Sequence, residues 1–140
     1  MGNEPHAFLS KLTDAVNAHD LDAVVDCFAV DYVNETPAHP ARNFTGRDRV
    51  RANWEQIFAF VPDVQVRVVA AVSSEDTIWA EQAMSGTRRD GTAHAMCGVV
   101  TFTVIDGRAS SARFYLEPVD ESPVDVAAAI DRQVHAGTAS

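Results

Sequence analysis

The side chains of Tyr32 and Asn34 are of types that can act together on one bound molecule. They lie two residues apart, and because side chains alternate along an extended strand, both project from the same face of it. A phenol and a carboxamide on one face can hold a water molecule or a ligand oxygen by hydrogen bonds. Structural roles stay open, since the Tyr32 hydroxyl could bond the backbone and Asn34 could belong to the turn that Thr36 and Pro37 begin.

His94 and Gln82 are two further polar candidates. An imidazole changes charge near neutral pH, so His94 could act with Tyr32 as an acid and base pair. Gln82 lies in a segment whose pattern predicts a strand, from which its amide could meet a ligand oxygen. As alternatives, His94 follows a predicted turn and could face solvent, and Gln82 could bond a neighbour in the sheet.

Several classes of site and partner are not expected. The five histidines are scattered without metal-ligand spacing, and there is no phosphate-binding loop, so we predict neither a metal nor a cofactor. The net charge of −9 repels polyanions, which argues against nucleic acid as a partner. No secretion signal is visible and apolar runs stay short of the roughly 18 residues that suggest a membrane helix, so we expect a cytoplasmic protein with no membrane partner.

Helices are predicted in the N-terminal part of the chain. Apolar residues recur at three- and four-residue spacing over residues 8–16 and again from Leu21 to Phe28, where Asp20 can cap the second helix. After an open loop at 36–46, a third helix presents Trp54 and Phe58 on one apolar face and closes at Pro62.

From residue 64 onward the pattern alternates with period two. It predicts strands at Val64–Val68, Ile78–Ser85, Thr92–Ile105 and Arg108–Pro118, joined by turn signals. Four such strands make an antiparallel meander, which needs the helices on one face, so the fold class is α+β. Parity turns a set of mostly apolar side chains inward: Met96, Gly98, Val100 and Phe102. One domain spans residues 1–118, and a tail at 119–140 could form a helix from Ser122 to about Val134.

Several short runs resemble the SnoaL-like branch of the NTF2-like superfamily. They are HDLDA at 19–23 followed by CFAVDY at 27–32, FTGRD at 44–48, FTVIDGR at 102–108 and ARFYLE at 112–117. The resemblance implies a cone-shaped, curved antiparallel sheet wrapped over three N-terminal helices, with an apolar cavity between them. It also implies a homodimer through the outer sheet face, where Val69, Trp79 and Tyr115 are expected. The family includes polyketide cyclases, ketosteroid isomerases, dehydratases, epoxide hydrolases and proteins without catalytic activity, so its fold does not fix its function.

By resemblance to the epoxide hydrolase branch, Tyr32 and Asn34 fall on a Tyr-x-Asn pair that holds the attacking water. Gln82 and Met84 fall on that branch's Arg-x-Asp pair, and Phe114 falls on its second catalytic aspartate. Met84 and Phe114 can supply neither the base nor the acid that epoxide opening needs.

The sequence therefore predicts a cavity for a small apolar molecule, in a protein that could be a cyclase, isomerase or dehydratase. The candidate catalytic residues are Tyr32, Asn34 and His94. The candidate ligand-binding residues are Gln82, Trp54, Phe58, Met84, Met96, Gly98, Val100 and Phe114. Gly98, in mid-strand, indicates a bend or a close approach by another group. The alternatives are a non-catalytic dimeric interaction domain, or a divergent epoxide hydrolase with relocated carboxylates. The nearest candidates for such carboxylates are Glu35 and Glu81, although strand parity turns both away from the cavity.

Overall fold

The computed structural model describes the backbone of residues 4–139 and the side chains of residues 4–135. Three helices lie in the first half of the chain: α1 (Glu4–Asn17), α2 (Leu21–Asp26) and α3 (Arg47–Phe60). Between α2 and α3 run two strands, β1 (Phe28–Glu35) and the short β2 (Phe44–Thr45). Four long strands follow, which are β3 (Gln65–Ser74), β4 (Thr77–Thr87), β5 (Ala93–Ile105) and β6 (Arg108–Pro118). The last element is α4 (Val126–Ala139).

The six strands form one curved sheet in the order β2-β1-β6-β5-β4-β3. Strands β3 to β6 are an antiparallel meander, as the turn signals predict, and Asp106 and Gly107 take the positive φ angles of a tight hairpin. The sheet as a whole is mixed, because β1 pairs in parallel with β6. The α+β class and the curved sheet over N-terminal helices are confirmed.

The core lies between the concave face of the sheet and the helices. Phe8 of α1 packs against Phe102 of β5 with 5.1 Å between ring centroids, and Val24, Ile78 and Val100 are almost completely buried. At the free edge of the sheet, the Asn17 side chain accepts from the Val66 N–H at 2.8 Å and donates to the Val66 carbonyl at 2.9 Å. These two bonds satisfy backbone groups of β3 and fix α1 across the sheet.

Three local predictions need correction. Phe28 begins β1 instead of ending α2, because the Cys27 N–H closes the helix on the Val24 and Val25 carbonyls. The tail does contain a helix, but it begins at Val126, where Asp125 accepts from the Ala128 N–H at 2.9 Å. The segment 36–46, predicted as an open loop, contains the strand β2, whose two residues are too few to leave a period-two pattern. Within residues 4–139, no helix is long and apolar enough to cross a bilayer.

Candidate functional site

A pocket of about 290 Å³ opens between α3, the loop at 36–46 and the concave face of the sheet. Strands β1, β4, β5 and β6 form its wall and floor. Its lining residues are Phe28, Tyr32, Asn34, Thr36, Arg42, Phe44, Val50, Asn53, Trp54, Ile57, Met84, His94, Met96, Phe114 and Leu116. The predicted candidates Tyr32, Asn34, Trp54, Met84, His94, Met96 and Phe114 therefore meet in one place. Alternation along the strands turns the six strand residues to this face, and Trp54 reaches it from α3.

Tyr32 and Asn34 are joined by a buried hydrogen bond. The Tyr32 hydroxyl donates to Asn34 Oδ1 at 2.7 Å, and the Tyr32 ring is fully buried against Phe28 and Phe44, with ring centroids 4.8 and 6.0 Å away. Burial raises the pKa of Tyr32 far above its ordinary value, since the phenolate would lose its hydration. Tyr32 is thus a neutral donor that fixes the orientation of the Asn34 amide.

Asn34 lines the pocket and has one polar group without a partner in the described part of the chain, its amide nitrogen. Its Oδ1 is used by Tyr32, and among the described residues nothing accepts from Nδ2. Nδ2 also keeps contact with solvent. Every fully buried side-chain nitrogen or oxygen among those residues has a hydrogen-bond partner, and Nδ2 has none. A carboxamide NH₂ that lines a cavity and has no protein acceptor is a preformed donor for a ligand oxygen.

His94 lies half-buried on β5 at the side of the pocket. Its Nε2 is 3.3 Å from Sδ of Met84. Burial lowers the pKa of His94, and the positive charge of Arg88 lowers it further. The imidazole is therefore uncharged at neutral pH and can act as a base.

The remaining predicted ligand residues lie elsewhere. Gln82 lines a smaller cavity of about 50 Å³, next to the pocket, that shares Trp54, Met84 and Phe114 with it. Val100 is buried in the core. Phe58 stacks on His19 with ring centroids 5.1 Å apart.

The backbone of the neighbouring strand β6 lies very close to Gly98. It has φ +150°, and a Cβ added there would lie 2.2 Å from the Tyr115 carbonyl oxygen of β6. The group that approaches this mid-strand glycine closely is the protein backbone of β6.

The sequence profile of the SnoaL-like domain family matches residues 9–112. The chain belongs to the SnoaL-like family. No curated protein matches its sequence. Solved structures with this fold include IdmH of Streptomyces antibioticus, a candidate polyketide cyclase (22% identity, 81% of this chain and 91% of that one, TM-score 0.70). An LEH-like epoxide hydrolase of Mycobacterium tuberculosis has 17% identity over 99% and 98% of the two chains, with TM-score 0.71.

A third solved structure is Rv0760c of M. tuberculosis in complex with estradiol-17β-hemisuccinate. It is 21% identical, with 80% of this chain and 92% of that one covered and a TM-score of 0.69. At these identities the likenesses show the fold alone. The pocket of this SnoaL-like chain differs from a carboxylate-based site. No Asp or Glu of the described residues lines it, whereas Met84 and Phe114 are among its lining residues. Glu81, a possible relocated carboxylate, is exposed.

Three polar lining residues of this SnoaL-like chain were missed by the sequence reasoning: Thr36, Arg42 and Asn53. Thr36 and Arg42 lie on the loop between β1 and β2, which has no periodicity from which a face could be assigned. Asn53 lies on α3 next to Trp54, and the helical spacing of the apolar residues assigns it to another face. Its position one turn after the buried Val50 was the only available signal. No group of three potential metal-ligating side chains occurs within the described residues.

Proposed function

We propose that this chain binds a small, largely apolar molecule in the pocket and holds one oxygen of it through Asn34. The observation that carries the proposal is the Asn34 Nδ2 group, which Tyr32 orients and for which no described residue provides an acceptor. A ligand carbonyl or hydroxyl oxygen would complete this donor. A ligand that displaced the water at this donor without replacing its hydrogen bond would lose affinity.

The walls suit an apolar body. Trp54, Ile57, Met96 and Phe114 supply aromatic, branched and flexible side chains around a volume at the lower end of the range for small-molecule sites. The methionines can adapt to the shape of different ligands. The structure of Rv0760c with a steroid ester, on the same fold, supports a role of this kind.

A pair of neutral probes tests the proposal: acetonaphthone, which carries a ketone, and isopropenylnaphthalene, in which a methylene group replaces the ketone oxygen. One net hydrogen bond predicts that acetonaphthone binds about 3- to 10-fold more tightly in calorimetric titrations. The matched variant is Tyr32→Phe with Asn34→Leu, because replacing both partners by apolar groups leaves no orphaned polar atom. It should bind both probes equally. If the wild-type protein binds neither probe, the proposal is refuted.

A cyclase- or isomerase-type reaction is a second candidate function, and the lowered pKa of His94 favours it. The neutral imidazole would take a proton from a carbon next to a ligand carbonyl. The electron pair would move to the oxygen, giving an enolate to which Asn34 Nδ2 donates. Return of that proton to another carbon would complete an isomerisation. His94→Gln should then abolish exchange of the α-protons of bound acetonaphthone with solvent deuterium, while affinity stays within about 2-fold; undiminished exchange would exclude His94 as the base.

We also propose that two copies of the chain pair through the convex face of the sheet. Val72 and Trp79 lie opposite each other on β3 and β4 there, Tyr115 lies on β6, and all three are exposed. Exposed large apolar side chains that share one sheet face can be buried at a subunit interface. Trp79→Arg should yield monomers in sedimentation experiments at micromolar concentration, whereas Val126→Arg, at an exposed site on α4, should not. A monomeric wild-type protein would refute this proposal.

A further inference from the structure

The polar part of the pocket is rich in donors and carries one positive charge. Among the described residues that line the pocket, Arg42 is the only one with a permanent charge and none is acidic. This contrasts with the chain as a whole, which has 20 acidic and 11 basic residues. A cation facing a pocket without a carboxylate leaves its charge to be balanced by solvent or by a bound anion.

The Arg42 side chain is not engaged elsewhere. Within the part of the chain whose side chains the structure describes, its guanidinium makes no hydrogen bond or ion pair. The side-chain amide of Asn53, which lines the same pocket, is likewise without a partner among those residues. Glu117, next to the lining residue Leu116, is already paired with His39 at 2.9 Å. The described lining residues thus include no carboxylate that could pair with Arg42, and the nearby Glu117 is already engaged.

Arg42 nevertheless lies on an ordered piece of backbone. It ends a 3₁₀ turn, Pro40–Arg42, in which its N–H donates to the His39 carbonyl at 2.9 Å. The loop is held to itself by the Thr36 N–H, which donates to Asn43 Oδ1 at 2.7 Å, and by the His39 N–H, which donates to the Thr36 carbonyl at 2.8 Å. Such a turn fixes the backbone from which the exposed Arg42 side chain reaches the pocket, so that a ligand would not have to order a mobile loop.

We infer that the ligand of this pocket is an organic acid, with its apolar body against Trp54 and Phe114 and its carboxylate bound by Arg42. The inference rests on the proposed function and names the ligand's class. A planar guanidinium matches the two oxygens of a carboxylate, and Asn53 can donate to the same group. Asn34 remains available for a second oxygen of the ligand.

Two probes of nearly equal shape test the inference: naphthoate, which is ionised at neutral pH, and naphthamide, which is not. At an ionic strength of about 20 mM, naphthoate should bind about 3- to 10-fold more tightly than naphthamide, and the difference should shrink at about 0.5 M salt. Arg42→Gln should remove the preference and Arg42→Lys should keep part of it. Arg49→Gln is the matched control, because Arg49 of α3 carries the same charge and is exposed like Arg42 but does not line the pocket.

Each outcome decides a different claim. Equal affinities of the wild-type protein for the two probes would overturn the assignment of an acid and leave the binding of apolar molecules standing. An equal loss of preference in Arg49→Gln and Arg42→Gln would show a general field effect and would also overturn it. If neither probe binds, the proposed function fails together with the inference. Unchanged circular dichroism of Arg42→Gln is expected, since the side chain makes no hydrogen bond or ion pair with a described residue.

Discussion

The Tyr32 hydroxyl donates a 2.7 Å hydrogen bond to Asn34 Oδ1, two residues along the same strand and on the same face. This bond links the core to the pocket. Tyr32 is fully buried below, and Asn34 lies above it with its remaining donor turned toward the cavity. The pair is therefore both a part of the fold and the candidate recognition element.

A double-mutant cycle should show the coupling of this pair. Tyr32→Phe leaves Asn34 Oδ1 buried without a donor and should lower the free energy of unfolding by about 1–3 kcal/mol. Asn34→Leu should cost a similar amount, because the Tyr32 hydroxyl is then orphaned. The double variant should be more stable than the sum of the two losses predicts, by about 0.5–3 kcal/mol in urea unfolding. Strictly additive losses would mean that the bond is not formed in solution.

Alkaline pH should destabilise the protein through Tyr32. The pKa of Tyr32 is raised in the folded state, whereas a tyrosine in the unfolded chain ionises near pH 10. Below that pH both states hold the proton, so there is no effect. Above it the unfolded state releases the proton and the folded state keeps it, so the free energy of unfolding falls as pH rises.

Tyr32→Phe should lack this share of the alkaline loss when urea midpoints are compared between about pH 9 and pH 11. Burial raises the pKa of the Cys27 thiol as well. Cys27 is present in both proteins, so its contribution cancels from the comparison. Parallel pH profiles of the wild-type protein and Tyr32→Phe would contradict the buried position of the phenol.

His94 should titrate below the ordinary histidine value of about 6.5. Burial is the main cause of its lowered pKa, and Arg88 adds to it. NMR of the imidazole carbon-bound protons, assigned with His94→Gln, measures the midpoint directly. Arg88→Gln should raise the midpoint without restoring the full value, because burial remains. A midpoint at or above about 6.5 in the wild-type protein would remove the argument for a neutral base.

The same shift has a consequence for stability at acid pH. As the pH falls below about 6.5, His94 binds a proton in the unfolded state at a higher pH than it does in the folded state. The free energy of unfolding therefore falls as pH decreases through this window. His94→Gln should reduce that part of the acid-side loss.

Gly98→Ala should destabilise the protein by about 2–5 kcal/mol, because the new methyl group meets the Tyr115 carbonyl oxygen and the backbone carries a positive φ. The control is Gly91→Ala, where φ is +89° but no described atom lies within 4 Å of the added Cβ. It should cost only about 1–2 kcal/mol, from the conformation alone. Equal losses in thermal or urea unfolding would show that β5 and β6 can separate at this point.

Much of the fold follows from local patterns in the sequence. The period-two segments predict the four long strands, and the same parity brings Met84, Met96 and Phe114 to the pocket together with Tyr32 and Asn34. Helical spacing places Trp54 opposite them. These predictions succeed because one face of each element is buried, and burial imposes a period on the sequence.

The parts that were missed depend on long-range or aperiodic structure. The parallel pairing of β1 with β6 joins segments far apart in the chain and leaves no local signal. Arg42 comes from a loop whose conformation is set by bonds such as that between Thr36 and Asn43. Val100 has the inward parity of a lining residue, but the pocket occupies only part of the concave face and the core fills the rest.

The most direct measurement of the central claim is the side-chain amide resonance of Asn34 in a nitrogen–proton NMR spectrum, assigned by its loss in Asn34→Leu. Titration with acetonaphthone should shift this resonance downfield and saturate with the indole resonance of Trp54, whereas isopropenylnaphthalene should shift Trp54 alone. Shifts at Trp54 without any ketone-dependent change at Asn34 would contradict the claim that this amide receives the ligand oxygen. No shift at either residue would show that the pocket does not bind such molecules.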